Sequence, residues 1–496
     1  MKKFKLFINN EWVDAENGAT FDSFNPCTGE KIAEMAYASV NDVKKAIDAA
    51  YKTFQSGVWS DLDYDDRSAY LHKVADIMEK RFDELAKWEA MDTGKAIRET
   101  RSIDIPLSIR AFRFHADLIK SLTGKVIHIP GKKCFDYTTY EPYGVVASIS
   151  PWNFPLHLMT RSVCPALAAG NTIVSKASTL TPVTTQIMGE IFQEAGVPAG
   201  VFNVVSGSGG VVGEEFLAND HVAVATLTGS EPVGRRLMEA SSKAKRIKKL
   251  VLELGGKGAL IAEPDCDMNA AVNGIILGFC MNQGEVCCAA SRLLLADEIY
   301  DEFMELLLKK VNSIRIGDCL DENVQMGSLI DEGQVKSVQG FVDGAIAQGA
   351  KVLCGGKRLT GGIYDKGNYY MPTVVENVTP EMDIFHEEVF GPVLAVTRYK
   401  TLEEAIELAN ATDFGLGAAI FSENPRKLYW TAQKLDAGTV WLNCTTKSNI
   451  ESPFGGNRNS GIGREDGMEG LLEYLKVKNN IMYVGEPYED FFGFDD

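Results

Sequence analysis

Near the start of the chain, apolar residues recur every three or four positions. Two such stretches are residues 40–56 and residues 66–91, and the first of them contains Val43, Ala46 and Ile47. A repeat close to 3.6 residues is typical of a helix that packs one face against a core. The pattern therefore predicts a helix over each stretch.

From about Tyr143 onward, short apolar runs alternate with helical patterns. One of the helical patterns ends at Gly170, and another covers residues 181–195 and opens with Thr181 and Pro182. This alternation predicts a parallel β-sheet with helices on both faces. The apolar runs that read as buried strands are residues 144–150, 172–176, 201–205 and 222–228.

A second alternation of strands and helices extends from Gly255 to about Phe454. Two segments with mixed polar and apolar faces, residues 124–140 and 474–484, lie outside both alternations and read as strands. The whole pattern predicts an α/β protein with two parallel sheets and a separate small β element. The clearest strands of the second alternation are residues 291–295 and 439–442.

The composition is that of a globular protein with more than one core. Of 496 residues, 45% are hydrophobic and 24% charged, and a chain of this length is expected to form two or three domains. A net charge of −18 argues against nucleic acid and membrane surfaces as partners, because both attract basic patches. The first residues lack an uninterrupted apolar stretch, and no run of about 18 apolar residues occurs, so we expect a cytoplasmic protein.

The cysteines indicate a reducing compartment and no metal centre. Ten cysteines are scattered between Cys27 and Cys444, without a C-x-x-C pair and without a Cys/His spacing that suits zinc. Most of them are expected to be small buried apolar residues. Cys287 is set apart by its sequence context.

Three local motifs carry chemical groups that can turn an aldehyde into an acid. Cys287 ends the run Asn-Gln-Gly-Glu-Val-Cys, Glu253 lies in Leu-Glu-Leu-Gly-Gly-Lys, and Asn153 lies in Pro-Trp-Asn-Phe-Pro. A thiolate attacks a carbonyl carbon and leads to a thioester that hydrolyses readily. A glutamate can activate the water for that hydrolysis, and an asparagine amide can donate a hydrogen bond to the tetrahedral oxyanion.

The order and the local sequences of these motifs resemble the aldehyde dehydrogenase superfamily, and the resemblance covers nearly the whole chain. It implies an α/β fold with two Rossmann-like parallel-sheet domains and a small β arm that joins subunits into a homodimer or homotetramer. The implied divisions are residues 1–122 and 143–254 for a dinucleotide-binding domain, 255–453 for a catalytic domain, 123–142 and 474–487 for the oligomerisation arm, and 488–496 for an acidic and aromatic tail.

The resemblance also implies a role for each catalytic candidate. Cys287 is the nucleophile, and its backbone N–H holds the oxyanion together with the side-chain amide of Asn153. Glu253 deprotonates the hydrolytic water, and Glu465 assists proton movement. Cys288 is expected to face away from the substrate as a packing residue.

A nicotinamide dinucleotide is the implied cofactor, although no G-x-G-x-x-G fingerprint follows a strand. Family members bind the pyrophosphate where a strand ends in Thr-Gly-Ser, which matches Gly229 and Ser230 at the start of a predicted helix. Without the resemblance, this segment would be an ordinary strand-to-helix turn. The implied cofactor contacts are Ile149, Trp152, Lys176, Ser178, Thr179, Gly209, Gly229, Ser230, Leu254, Glu388 and Phe390.

The choice between NAD and NADP depends on Thr179. Many NAD-preferring relatives carry a glutamate there, which binds the 2′-hydroxyl of the adenosine ribose. A threonine removes the repulsion that this carboxylate would exert on a 2′-phosphate, and Lys176 is a nearby cation. We therefore hypothesise that NADP is accepted or preferred.

Glu253 and Glu285 bear on the type of reaction. Glu253 favours hydrolysis to a free acid, because CoA-acylating relatives usually lack a glutamate at that position. Glu285 replaces the glutamine that family members usually carry two residues before the nucleophile. A carboxylate that faced Cys287 would raise the pKa of its thiol, whereas a carboxylate that points away would not.

Arg161 is the main clue to the substrate. At this position alkyl-aldehyde enzymes often carry an aromatic residue, whereas succinic semialdehyde and lactaldehyde dehydrogenases carry arginine. Ser448 matches a serine that helps to bind a carboxylate in succinic semialdehyde dehydrogenases, but Met281 stands where that site has a second arginine. We predict a short aldehyde with an anionic or hydroxylated tail; the alternative is that Arg161 forms a salt bridge with a neighbouring acid. The other residues of the predicted pocket are Phe154, His157 and Phe454.

Three other functions are compatible with parts of this pattern. They are a CoA-acylating semialdehyde dehydrogenase, a catalytically silent scaffold similar to some lens crystallins, and a thiol esterase. Glu253 disfavours the first, and the joint presence of Asn153, Glu253 and Cys287 disfavours the second. Ester hydrolysis is expected only as a side activity of the same thioester chemistry.

Overall fold

A computed structural model of the chain describes residues 2–486 and 491–493. Two large β-sheets, each accompanied by helices, form its frame, and the predicted α/β fold class is confirmed. The predicted tail, residues 488–496, lies outside the described residues except for 491–493.

The first sheet has eight strands, and its central strands are parallel. Those strands are buried along most of their length, which explains why they read as continuous apolar runs in the sequence. Ile149 lies beside Lys176 and Leu227, so the carboxyl ends of neighbouring strands meet at one edge. The spatial order is Gly461–Ile462, Lys249–Glu253, Val222–Thr228, Val145–Ile149, Thr172–Ala177, Phe202–Ser206, Leu6–Ile8 and Glu11–Val13.

Both faces of this sheet bury apolar side chains. Val145 and Ala147 pack in the same hydrophobic cluster as the helix Val40–Gln55, while Val146 packs in the cluster on the opposite face, as the two-residue period of a strand requires. The helices before residue 255 are Val40–Gln55, Tyr64–Lys80, Phe82–Thr93, Ile97–Glu99, Ile105–Leu118, Pro155–Ala168, Val183–Ala195, Gly209–Ala218 and Glu231–Lys243.

A single helix was predicted over residues 66–91. The structure has two helices there, Tyr64–Lys80 and Phe82–Thr93, and the break between them is at Arg81. The guanidinium of Arg81 contacts the carboxylates of Glu84 at 2.8 Å and Glu190 at 2.7 Å. Because Glu190 is remote in sequence, apolar spacing alone could not show this break. The helix predicted over 181–195 begins two residues later than expected, at Val183.

The second sheet has seven strands, all parallel to their neighbours except the edge strand Lys351–Cys354. The strands predicted over residues 291–295 and 439–442 both belong to it. Its spatial order is Lys351–Cys354, Thr373–Glu376, Val393–Tyr399, Arg292–Ala296, Ala259–Ala262, Gly417–Phe421 and Thr439–Leu442. The helices after residue 255 are Met268–Cys280, Tyr300–Val311, Glu332–Ala347, Asp383–His386, Leu402–Asn410, Pro425–Ala432 and Gly467–Leu472.

The two segments that lay outside the sequence alternations pair with each other. The strand Leu475–Tyr483 is antiparallel to Cys134–Pro142, which in turn pairs with Val126–Ile127. We call this three-stranded sheet the arm sheet. The remaining strands form two small sheets, Lys2–Phe4 with Lys31–Ala36 and Thr20–Phe24, and Phe414–Gly415 with Asn457–Arg458.

Two further features concern only the described residues. None of their helices combines the length and the apolar character that crossing a bilayer requires. Their His, Cys, Asp and Glu side chains also form no group of three or more that could hold a metal ion.

Candidate active site

Cys287 lies where two cavities meet. A larger cavity of about 320 Å³ and a smaller cavity of about 270 Å³ both include this residue in their linings. The larger cavity is mainly apolar, with hydroxyl groups at Thr445, Thr446 and Ser448. A molecule in one cavity can therefore meet a molecule in the other beside the Cys287 side chain.

The chain reaches Cys287 through a left-handed turn. After the helix Met268–Cys280, the residues Asn282, Gln283 and Gly284 have φ values of 47°, 54° and 74°. Consecutive residues in this region are rare, because a Cβ atom is crowded there. Glycine and asparagine accept this region more readily than other residues, so the conformation of Gln283 in particular is held by its surroundings.

Asn153 is fixed through both its side chain and its backbone. Its Nδ2 donates to the carbonyl of Glu285 at 2.9 Å, and its own carbonyl accepts from Lys95 Nζ at 2.8 Å and from Asn282 Nδ2 at 3.0 Å. Lys95 is buried and pairs with Asp104 at 2.6 Å. An amide held in this way is preorganised to donate a hydrogen bond at a fixed place.

The side chain of Glu285 points away from Cys287. Its Oε1 accepts a hydrogen bond from the backbone N–H of Ile330 at 3.0 Å. Burial raises the pKa of this carboxyl well above its usual range. The structure thus supports the alternative in which Glu285 leaves the thiol of Cys287 undisturbed.

Cys288 does not face away from the cavity, contrary to expectation. Residues 287 and 288 form a turn, so their side chains do not alternate as in a strand, and both line the larger cavity. Contact with Cys288 and burial raise the pKa of the Cys287 thiol above its usual range, and Glu388 adds to the rise. These surroundings therefore favour the protonated thiol of Cys287.

Glu253 belongs to a buried cluster of charged side chains. Neither of its carboxyl oxygens has a hydrogen-bond partner among the described residues. Burial and the nearby Glu465 raise its pKa well above the usual range. Burial likewise raises the pKa of Glu465 to about 7, although Arg161 opposes the rise.

Arg161 forms the salt bridge that was the alternative to a role in anion binding. Its Nε donates to Asp466 Oδ2 at 2.9 Å and lies 3.4 Å from Glu465 Oε2. The guanidinium also stacks 4.1 Å from the ring centroid of Phe454. Arg161 nevertheless lines the larger cavity, and so do the other predicted pocket residues, Phe154, His157, Ser448 and Phe454. Met281, which stands in place of the second arginine, lines it too.

His157 lines the larger cavity as a neutral imidazole. Burial and the charge of Arg161 lower its pKa well below the usual range. Its Nδ1 has no hydrogen-bond partner among the residues that the structure describes. A neutral ring with a free nitrogen can exchange a hydrogen bond with a hydroxyl group.

The sequence and the fold both match known proteins over almost their entire length. The family model of the aldehyde dehydrogenase family matches residues 12–480. The chain belongs to the aldehyde dehydrogenase family. It is 39% identical to the mitochondrial aldehyde dehydrogenase of Mesocricetus auratus over 481 residues, which cover 97% of this chain and 95% of that protein.

Solved aldehyde dehydrogenases share the fold. An NAD-dependent aldehyde dehydrogenase from Sinorhizobium meliloti superposes with a TM-score of 0.96 at 37% identity, covering 99% of this chain and 96% of that chain. An NAD+ complex of an aldehyde dehydrogenase from Bacillus cereus gives 0.94 at 36% identity, with 97% of each chain covered. Aldehyde oxidation with a nicotinamide dinucleotide is thus the general chemistry of this enzyme.

The smaller cavity of this aldehyde dehydrogenase combines the start of a helix with a buried carboxyl group. Ser230 precedes the helix Glu231–Lys243 without a side-chain cap. Because Pro232 has no N–H and Val233 and Gly234 donate to the Ser230 carbonyl at 3.0 Å, the N–H of Glu231 is the one that the first turn leaves for an anion. Glu388 Oε1 accepts from Gly256 N–H at 2.9 Å, and burial raises the pKa of Glu388 to about 7. Six of the predicted cofactor residues line this cavity, namely Trp152, Gly229, Ser230, Leu254, Glu388 and Phe390.

The other predicted cofactor residues of this aldehyde dehydrogenase lie outside that lining. Ile149 and Lys176 are register partners at the carboxyl ends of two parallel strands. Lys176 Nζ donates to the carbonyl of Ala177 at 2.9 Å, and burial lowers its pKa to about 8. The remaining three are Ser178 and Thr179, which follow the strand Thr172–Ala177, and Gly209, which follows Phe202–Ser206.

Sequence reasoning missed several residues that shape this site. Asp466 pairs with Arg161, Lys95 binds the carbonyl of Asn153, and Gln334 lines the smaller cavity. Each acts through a partner that is far away in sequence, so no local motif marks it. Only Asp466 had a usable signal, because it is adjacent to Glu465.

Proposed function

We propose that this enzyme oxidises an aldehyde to a free carboxylic acid through a covalent intermediate on Cys287. The observation that carries the proposal is the position of Cys287 in the linings of both cavities. A tail bound in the larger cavity leaves its carbonyl at the thiol, and the smaller cavity suits the nicotinamide dinucleotide.

In the first half of the reaction, Cys287 gives its proton to Glu253, the proposed base, and its sulfur bonds to the aldehyde carbon. The side-chain amide of Asn153 and the backbone N–H of Cys287 donate hydrogen bonds to the resulting oxyanion. When bound, the nicotinamide dinucleotide supplies the hydride acceptor that converts the tetrahedral adduct into a thioester. The raised pKa of Cys287 means that a base is needed to form the thiolate.

In the second half, Glu253 takes a proton from a water molecule. The water oxygen bonds to the thioester carbon, the carbon–sulfur bond breaks, and the acid leaves while the thiolate of Cys287 takes a proton from solvent. The raised pKa of Glu253 increases its affinity for the proton of the attacking water. Glu465, whose pKa is about 7, is the proposed next carrier of that proton.

For the substrate, we propose a short aldehyde with a hydroxylated tail. Of the two kinds of tail that the sequence allowed, the anionic one would have to displace the carboxylates that pair with Arg161. His157 and Ser448 offer neutral hydrogen-bonding groups in the same cavity. The mainly apolar lining, which includes Leu158, favours an unbranched alkyl aldehyde as the second candidate.

For the cofactor, we propose that NADP is used as well as NAD. Thr179 places no negative charge near the position where relatives bind the ribose 2′-hydroxyl, and Lys176 lies at the end of the preceding strand.

For the acyl acceptor, we propose water rather than CoA. Glu253 is buried and has no hydrogen-bond partner among the described residues, so its carboxyl group is free to take a proton from water. A CoA-acylating reaction and a silent scaffold are the outcomes that the experiment must separate.

The test is a matched set of aldehydes with each cofactor, followed at the absorbance of the reduced nicotinamide. We expect 2-hydroxypropanal to exceed propanal in kcat/KM, NADP to support turnover, and added CoA to leave the rate unchanged. Cys287→Ala should abolish turnover, while Cys288→Ala, the same change at the adjacent thiol, should retain it. Thr179→Glu should lower kcat/KM for NADP about tenfold or more relative to NAD, by repulsion of the 2′-phosphate.

Several results would contradict these assignments. An inactive wild-type enzyme with every aldehyde would support the silent scaffold, and dependence on CoA would support the acylating reaction. A strong preference for propanal over 2-hydroxypropanal would favour the apolar candidate. If Cys287→Ala turns over as fast as the wild type and Cys288→Ala, Cys287 is not the nucleophile.

A further inference from the structure

Asp466 is a buried residue to which the proposed chemistry gives no task. We propose that Asp466 sets the charge selectivity of the larger cavity: by holding Arg161 in an ion pair, it makes the enzyme discriminate against aldehydes with anionic tails. The inference rests on the proposed function, because it requires that the aldehyde tail occupies the larger cavity.

The geometry joins Asp466 to a residue of the cavity wall. Arg161 lines the larger cavity, and its Nε and Nη2 lie 2.9 Å and 2.8 Å from the same oxygen, Oδ2 of Asp466. Both side chains are almost completely buried. The other oxygen of Asp466, Oδ1, has no hydrogen-bond partner within the described part of the chain.

The backbone keeps Asp466 in place. Its φ of 59° is in the left-handed region, and its carbonyl accepts the N–H of Gly470 at 2.8 Å. The adjacent Gly467 donates its N–H to the carbonyl of Ile450, also at 2.8 Å. The backbone of Asp466 is thus fixed at the start of the helix Gly467–Leu472, with its side chain within reach of Arg161.

The local charges oppose an anionic ligand. One guanidinium faces two carboxyl groups, because Glu465 Oε2 also lies 3.4 Å from Arg161 Nε. A carboxylate on the substrate would meet a cation that is already neutralised, and it would bring a further negative charge next to Glu465. Arrangements that reject one ligand by repulsion are a general source of specificity.

The prediction is a gain of activity rather than a loss. Asp466→Asn removes the negative charge, keeps an oxygen that can accept from Arg161, and tolerates positive φ better than most residues. We expect the ratio of kcat/KM for 4-oxobutanoate over butanal to rise about tenfold, mainly through a lower KM for 4-oxobutanoate. Asp466→Gly, which also suits the backbone, should change the ratio in the same direction.

Two matched variants test whether the gain needs Arg161. The double change Asp466→Asn with Arg161→Gln should return the ratio to about the wild-type value, because no cation is then left to bind the tail. Asp297→Asn removes a carboxylate that pairs with Arg398 outside the larger cavity, and it should leave the ratio unchanged. Calorimetric titration with butanedioate should show tighter binding to Asp466→Asn than to the wild type.

The outcomes separate this inference from the proposed function. An unchanged ratio in both Asp466 variants, or a gain that survives the loss of Arg161, would overturn the inference. Failure of the wild type to oxidise butanal would count against the proposed function instead. In that case the butanedioate titration still tests the inference, because binding does not require turnover, and equal affinities would sink it.

Discussion

At the scale of single residues, Glu253 is the most telling side chain. Both of its carboxyl oxygens are buried, and neither has a hydrogen-bond partner among the described residues. Leaving such a group unsatisfied destabilises a folded protein by about 1–3 kcal/mol. A carboxyl group kept under these conditions has the raised pKa and the free lone pairs that a general base requires.

We predict that Glu253→Gln separates the two halves of the reaction. The amide cannot take a proton from water, whereas the thiol of Cys287 can still lose its proton to solvent, so the thioester on Cys287 should form and then persist. Rapid mixing should show a burst of about one reduced cofactor per active site, followed by a steady rate lowered about 100-fold or more. Mass spectrometry should find the acyl group on Cys287.

A second buried glutamate provides the control for this prediction. Glu263 accepts from Tyr399 Oη and from Lys427 Nζ, each at 2.6 Å, so both of its carboxyl oxygens have partners, whereas those of Glu253 have none among the residues described. Glu263→Gln should therefore keep its steady-state turnover. If Glu253→Gln also turns over at the wild-type rate, another group activates the water.

Residue motifs predicted the reacting groups better than the residues that hold them. Cys287, Glu253 and Asn153 are each marked by a local sequence. Lys95 and Asp466 are not, since their importance comes from contacts with Asn153 and Arg161 that only the folded chain creates. For the same reason, the sequence could not decide whether Arg161 binds a substrate tail or pairs with a neighbouring acid.

At the scale of elements, the turn before Cys287 positions the thiol. Asn282, Gln283 and Gly284 all have positive φ, and two of them are not glycine. Such a conformation persists only where the surroundings impose it. Here the N–H of Asn282 donates to Glu99 Oε2 at 2.8 Å, so the turn is held by a helix near the start of the chain.

We predict that Gly284→Ala damages the enzyme strongly. A Cβ atom there would lie 2.2 Å from the carbonyl oxygen of Gly391, and φ is 74°. The backbone must shift, which should destabilise the fold by about 2 kcal/mol or more and displace Cys287. The Tm and kcat should both fall. The loss of kcat should exceed the loss of folded protein, measured at a temperature where the variant is still folded.

The matched change is Gly340→Ala, within the helix Glu332–Ala347. A Cβ atom at Gly340 meets nothing within 4 Å, so alanine should stabilise the protein by about 0.5–1 kcal/mol through its helix propensity. A Gly284→Ala enzyme with normal Tm and kcat would show that the turn is not needed to present the thiol.

Sequence periodicity predicted elements well where burial was uniform. The buried strand Val222–Thr228 was predicted with its observed bounds, because a strand covered on both faces reads as one apolar run. Periodicity failed at Arg81, where a contact with Glu190 accompanies the break between two helices. It was also silent about the left-handed turn, because periodicity carries no signal for it; Asn282 and Gly284 tolerate positive φ, but Gln283 does not favour it.

At the scale of the whole molecule, the site is assembled from both large sheets. Glu253 ends one strand of the first sheet, and Asn153 follows another. Cys287 precedes the strand Arg292–Ala296 of the second sheet. The carboxyl ends of parallel strands are the usual place for ligands in such folds. Glu253 and Asn153 follow this rule, whereas Cys287 comes before its strand, and the sequence marked it by its local motif.

The arm sheet leaves apolar side chains uncovered in the isolated chain. Val477, Ile481 and Phe135 have exposed fractions of 61%, 63% and 46%. Val477 and Ile481 are four residues apart on the strand Leu475–Tyr483, so they lie on the same face of the sheet. Apolar patches of this kind usually mark a surface that another protein chain covers.

We predict that this face of the arm sheet joins copies of the chain. The wild type should sediment as a dimer or tetramer, and Val477→Lys with Ile481→Lys should shift it towards smaller species, because buried like charges would oppose the contact. Ile247→Lys supplies the control, since Ile247 is 95% exposed outside the arm sheet and should leave the assembly unchanged. A monomeric wild type, or a double variant with the wild-type sedimentation coefficient at equal concentration, would contradict the prediction.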